Sequence, residues 1–161
     1  MFTHNPRFGY LFFLSQMKSG DTRDMWNEVL KIIFYILAII GIIVISRQKT
    51  WWKKAAMLVS IIILLPTNSG FYCGLYLFPI VVLFFNEEEH NWLDILYMLS
   101  MIVILNPFQL MTKKGVNITL TATNIAMFVF AGLLLIDNIV IFIRVLIEQH
   151  KNKIRIKGAL P

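Results

Sequence analysis

The residues of this chain best suited to chemistry stand in Pro66-Thr67-Asn68-Ser69-Gly70, a polar break inside the otherwise apolar stretch Ala55–Phe85. Pro66 ends a helix, because it has no N–H to donate and its ring clashes with the preceding turn. Thr67, Asn68 and Ser69 offer hydroxyl and amide groups, and Gly70 admits backbone angles that other residues resist. A helix beginning at Phe71 directs its free N–H groups into the break, and a helix N-terminus favours anions, phosphate included. Tyr72 and Tyr76 are four residues apart, share a helix face and would line one cavity. Thr67, Asn68, Ser69, Gly70, Tyr72 and Tyr76 are therefore the candidate substrate-binding residues. The competing reading is an ordinary turn between two tilted helices, and the residues alone leave both open.

Elsewhere the inventory for chemistry is thin. His4, His90 and His150 are far apart and lack metal-ligand spacing. Cys73 is the single cysteine, so no internal disulfide or cysteine metal site forms, and its apolar neighbours suit a packing role. No phosphate-binding glycine loop and no nucleophile elbow is present. Catalytic residues, a metal site and a cofactor are thus not expected. Glu87-Glu88-Glu89 reads as a solvated turn. Asp137 interrupts an apolar run, and an ionisable residue so placed is a functional candidate by default. It lies near the end of an over-long helix, with Arg144 seven residues on, which favours a structural role at the membrane interface. Thr119, Thr121, Thr123 and Asn124 suit hydrogen bonds to neighbouring helices, at about 1 kcal/mol each. Asn117-Ile118-Thr119 matches a glycosylation sequon, a weak signal by itself.

The elements that must position these groups are apolar helices. Of 161 residues, 58% are hydrophobic, and the mean hydropathy is +0.70. Charges collect at Arg47–Lys54, Glu87–Glu89, Lys113-Lys114 and Lys151–Lys157, with long uncharged tracts between. That segregation is the pattern of an all-α, multi-pass membrane bundle. The net charge of +6 follows from basic residues flanking membrane spans, so the lipid bilayer is the expected partner and nucleic acid is not. Residues 1–27 read as a polar N-terminal flank, 28–149 as the helical membrane domain and 150–161 as a basic cytoplasmic tail.

About five segments are expected. The first is Val29–Ser46, where Gly41 permits close helix contact. It ends in Arg47–Lys54, whose Trp51 and Trp52 among basic residues form an interfacial belt. Ala55–Leu65 and Phe71–Phe85 flank the break. At ~1.5 Å per residue they reach roughly 17 and 23 Å, against a hydrocarbon core of about 30 Å. Such a break is tolerated in a membrane only where protein or water surrounds it. Pro79 is expected to kink the second of these helices. Trp92–Leu105 follows, with Asp94 in its first turn, where a carboxylate suits the helix dipole. The last segment runs from about Asn117 to Ile147, roughly 45 Å of helix and longer than a bilayer requires. The basic Arg47–Lys54 turn and the C-terminus are expected on the cytoplasmic side of the cell membrane, and the Pro66–Gly70 break outside. That topology would put Met1–Asn27 outside as well, which a preceding membrane segment would relieve.

Leu64-Leu65-Pro66-Thr67-Asn68-Ser69-Gly70-Phe71-Tyr72, Leu75-Tyr76-Leu77-Phe78-Pro79 and Ile104-Leu105-Asn106-Pro107-Phe108-Gln109, with Trp52-Lys53-Lys54-Ala55 before them, resemble one family. They look like the C-terminal membrane region of bacterial polyprenyl-phosphate-sugar-dependent glycosyltransferases, of the GT-C, alpha-mannosyltransferase-like family 87. The resemblance covers roughly Val29 to Asp137. It implies hexosyl or mannosyl transfer from a lipid-phosphate donor at the outer membrane face, with the break as a wall near the lipid-phosphate or acceptor site. Those enzymes carry their catalytic aspartate in an early extracytoplasmic loop, after the first membrane helix. Asp21 and Asp24 do not stand in such a setting, so no catalytic residue is carried over. The resemblance thus implies a partner as well, an N-terminal membrane half encoded separately. Whether the chain is itself an enzyme stays open. The alternative is a small stand-alone membrane scaffold or subunit, packed through Gly41, Gly74 and Gly132, without catalysis.

Overall fold

The computed structural model describes Leu14 and residues 21–64, 75–106 and 118–158. All regular structure among the described residues is helical, as expected from the apolar patterning. The helices are α1 (Asp21–Ile45), α2 (Trp51–Leu64), α3 (Phe78–Phe85), α4 (Trp92–Ile104) and α5 (Ile118–Gly158). Two of them are long and apolar enough to cross a membrane, over Thr22–Ile45 in α1 and Ile118–Ile154 in α5. At 14, 8 and 13 residues, α2, α3 and α4 fall short of the ~20 residues of a straight crossing.

Three boundaries differ from expectation, each for a local reason. Helix α1 begins at Asp21, inside the stretch expected as a polar flank. Asp24 then falls in its first turn, where a carboxylate complements the helix dipole. Helix α5 continues through the basic tail to Gly158, because residues 148–157 hold neither proline nor glycine. Pro79 does not kink a helix; it stands in the first turn of α3. Its missing N–H is unneeded there, and its fixed φ suits a helix start.

Helix α5 is the axis of the bundle and packs along α4, α1 and α2, while α2 also touches α1 and α3. The core follows that axis. Met127, Phe130 and Leu134 of α5 are buried against Trp52 and Ile63 of α2 and Tyr97 of α4. Trp52 meets the rings of Phe84 and Tyr97 edge-on at 5.0 and 5.2 Å, and Tyr97 meets Phe130 at 5.8 Å. Edge-to-face pairs of this kind add roughly 0.5–1.5 kcal/mol beyond the area they bury.

Size sorts the faces of α1. Ala38, Gly41 and Val44 turn inward, while Ile32, Ile36, Ile39 and Ile43 stand exposed. A Cβ on Gly41 would collide with the end of Met57 and press on Ile61, so α1 and α2 approach closely because this side chain is absent. The contact expected of Gly41 is therefore present. Small residues inside and large apolar ones outside is how helices pack in lipid rather than water.

Candidate functional site

Lys53 is the centre of the polar chemistry. It sits in the first turn of α2, 8% exposed, and its Nζ donates to Asp137 Oδ2 of α5 at 2.7 Å. The Oδ1 of Asp94, in the first turn of α4, lies 3.9 Å from the same ammonium. The rings of Trp52 and Tyr97 flank the charge at 5.4 and 5.7 Å. One ammonium thus ties α2, α4 and α5 together.

Asp94 has a second task. Its Oδ2 accepts from the backbone N–H of Asn91 at 2.8 Å, which organises the start of α4, and lies 3.5 Å from His90 Nδ1. The His90 ring rests on Phe84, with centroids 4.8 Å apart. Asp94 Oδ1 is buried and accepts no hydrogen bond. Asn138 of α5 is fully buried beside the cluster. Its Oδ1 accepts from Gln48 Nε2 at 3.1 Å, and its Nδ2 donates to Leu134 O. Gln48 Oε1 in turn accepts from the N–H groups of Lys49 and Thr50, just before α2. The arrangement is a clasp. Its donors are turned onto protein acceptors, and the one orphan acceptor, Asp94 Oδ1, already faces Lys53. Among the described residues no cluster of three or more His, Cys, Asp or Glu is arranged to hold a metal ion.

The clasp defines one end of the bundle, where α1 finishes, α2 starts, α3 finishes and α4 starts. Sequence reasoning reached it in part. Asp137 was expected to be structural, with Arg144 on the same face; it pairs with Lys53 and not with Arg144, which is exposed. Asp94 in a first turn was expected. Lys53 was missed, and with it the partition of Trp51-Trp52-Lys53-Lys54. The expected belt of two tryptophans among four basic residues is corrected at Trp52 and Lys53, which are buried. Trp51 faces out beneath Lys54, whose Nζ lies 4.7 Å from its ring, whereas Trp52 and Lys53 turn inward. Positions 51 and 54 share a helix face, so a three-residue offset was the available signal.

The other end of the bundle differs in chemistry. Thr119, Thr123 and Asn124, near the start of α5, are buried but uncharged. Asn124 donates to Leu120 O within its own helix, and Thr123 Oγ1 has no partner. The chain leaves α2 at Leu64 and rejoins at Leu75 at this end. Of the candidate site, Thr67, Asn68, Ser69, Gly70 and Tyr72 lie outside the described residues, as do Gly74 and Asn117. Tyr76 is described, and it is half-exposed in the turn before α3.

Between the ends, α1, α2 and α5 leave a crevice of about 150 Å³, walled by Phe34, Ala38, Met57, Ser60, Phe128 and Gly132 among others. The Ser60 hydroxyl is its only polar side-chain group, and it is buried without a partner.

Comparison with known proteins found no family model, no curated relative and no solved structure that matches this chain.

Proposed function

We propose that this chain is an integral, multi-pass membrane protein serving as a membrane portion of a lipid-linked-sugar glycosyltransferase at the outer membrane face. In this reading its residues wall the lipid-phosphate site, and the catalytic carboxylate comes from outside the described residues. The family resemblance over Val29 to Asp137 supports it, as do two helices long and apolar enough to span.

The observation that carries the reading is the chemical difference between the two ends of the bundle. The buried charges, Lys53 and Asp94, are gathered at the end with the 46–50 and 86–91 turns. Neutral hydroxyls and an amide occupy the other, where α2 ends at Leu64 and the described chain resumes at Leu75, the sequence between them holding Thr67, Asn68 and Ser69. From Ile118 to Asp137, α5 rises roughly 29 Å, which matches a hydrocarbon core of about 30 Å. The clasp then stands at the cytoplasmic interface beside the basic Arg47–Lys54 turn, and the neutral end stands outside.

Binding of a polyprenyl-phosphate hexose to the purified chain tests the reading. Replacing Thr67, Asn68 and Ser69 together by alanine should weaken binding about tenfold or more, the equivalent of ~1.4 kcal/mol. Equal binding by both proteins removes the break from the site. The second reading, a non-catalytic scaffold or subunit, draws on the outward stripe Ile32, Ile36, Ile39 and Ile43 of α1. Co-purification of a defined membrane partner, unaffected by Asn68→Ala or Tyr76→Phe, favours it.

A further inference from the structure

We infer that the outward face of α5 is a self-association surface, on which a second copy of this chain docks in parallel to form a two-fold dimer. This rests on the membrane placement proposed above and not on glycosyl transfer.

Helix α5 runs on alone after the clasp. Among its described residues beyond Asn138 none is buried, and residues 146–154 are exposed all the way round. Yet residues 139–147 are apolar apart from Arg144. They rise roughly 13 Å past the level of the clasp. The turns at that level carry Arg47, Lys49, Glu87 and Glu88, so on the proposed placement the bilayer ends there and the apolar stretch stands in water. A helix apolar on every side is stable in water only where another surface covers it.

The residue pattern identifies that surface. Ile125, Val129, Ile136, Val140, Ile143, Ile147 and Ile154 are exposed at steps of three, four or seven residues. They lie on one face of α5, opposite the buried Phe130 and Leu134. The face is continuous from the membrane span into the arm beyond it. Two copies inserted the same way present it at the same levels, so each seam residue meets its own counterpart, apolar against apolar. Arg144, Lys151 and Lys153 fall to its flanks and stay in water. Val140, Ile147 and Ile154 recur every seven residues, the repeat by which parallel helices keep facing each other. His150 is the polar residue in the seam of the arm, and one polar residue there fixes register.

Within the membrane, Gly132 sits on the same face between Val129 and Ile136. A Cβ there would meet nothing within 4 Å, so packing inside the chain does not require this glycine. A second α5 does, because a glycine lets two backbones approach closely in lipid. The area suffices as well. Between Ile125 and Ile154 the strip is roughly 43 Å long and about 10–12 Å wide on each copy, roughly 900–1,000 Å² for the pair. Specific interfaces begin near about 1,000 Å², and insertion in one membrane raises the effective concentration further.

The test uses the full chain in isolated membranes, with single cysteines in a Cys73→Ser background and copper-phenanthroline as oxidant. Ile143→Cys and Ile147→Cys should form disulfide-linked dimers about tenfold more than Asn152→Cys on the opposite face of the arm, because a disulfide needs Cα atoms within about 7 Å. Single-molecule photobleaching of labelled chains in dilute liposomes should count two per complex. Ile147→Glu sets like charges face to face and should weaken association about a hundredfold. It lies beyond the bundle, so its unfolding midpoint as a single chain should match that of the unaltered protein. Gly132→Leu should weaken association from a different level of the seam, and Gly132→Ala less, so one misfolded variant does not decide the matter. Equal cross-linking at residues 143, 147 and 152, a count other than two, or association that survives both Ile147→Glu and Gly132→Leu overturns the dimer. Dimers of a protein that binds no polyprenyl-phosphate hexose uphold this face and defeat the glycosyltransferase reading; single chains that bind it do the reverse.

Discussion

Lys53 carries more of this molecule than any other charged residue, because its alternatives are built in. Its ammonium bonds Asp137 at 2.7 Å and keeps Asp94 in reserve at 3.9 Å. Loss of the cation leaves both carboxylates without a counter-charge, and breaking a buried pair in this way costs about 3–5 kcal/mol. Lys53→Met should therefore lower stability by about that amount, read as a fall in the unfolding midpoint in detergent. Asp137→Asn should cost less, about 1–3 kcal/mol, because Lys53 can turn to the orphan oxygen of Asp94. Equal losses for the two variants would refute the reserve role of Asp94. The serines make a similar contrast. Ser60→Ala removes a buried hydroxyl without a partner and should be neutral or stabilising by up to about 1 kcal/mol, whereas Ser100→Ala removes a hydrogen bond to Leu96 and should be destabilising.

Among the elements, the α1–α2 contact turns on one glycine and the α2–α5 clasp on one helical turn. Gly41 lets α1 lie against Met57 and Ile61. Gly41→Ala presses on the flexible end of Met57 and on the outermost carbon of Ile61, both of which can move, and should be nearly tolerated. Gly41→Leu forces the helices apart and should cost about 1–3 kcal/mol, visible as a lower thermal midpoint. Near-equal midpoints for the two would mean that α1 does not depend on this crossing. At the clasp, the inward face of α2 carries Trp52, Lys53, Ala56 and Met57, while Trp51 and Leu58 face out. The run of two tryptophans and two lysines therefore serves both the core and the surface.

For the whole molecule, the clasp level divides α5 in two. The part before Asp137 threads the bundle; the part from Asn138 to Gly158 continues for ~20 residues, roughly 30 Å. If the clasp marks the cytoplasmic interface, the 86–91 turn and the C-terminal part of α5 lie on one side and residue 67 on the other. Single cysteines at Glu88, Gln149 and Thr67, each in a Cys73→Ser background, test this in intact cells. A membrane-impermeant maleimide should label the variant Thr67→Cys from outside, and Glu88→Cys and Gln149→Cys only after permeabilisation. External labelling of Glu88→Cys would reverse the bundle and place the break inside.

The sequence by itself determined the helical class and the apolar lengths, because composition and the segregation of charge act locally and are visible along the chain. It also singled out Asp137 and marked Gly41 as a close contact, since a charge in an apolar run and a glycine in a helix are each anomalies in one dimension. The start of α1, the end of α5 and the place of Pro79 depended on dipole and propensity effects that a hydropathy reading does not weigh. Only the tertiary structure decided the partners. Lys53 meets Asp137 across 84 residues and Gln48 meets Asn138 across 90, and no local pattern specifies which distant side chain each of them meets. The crevice belongs to the same class, for it is the space left between three helices that are far apart in sequence.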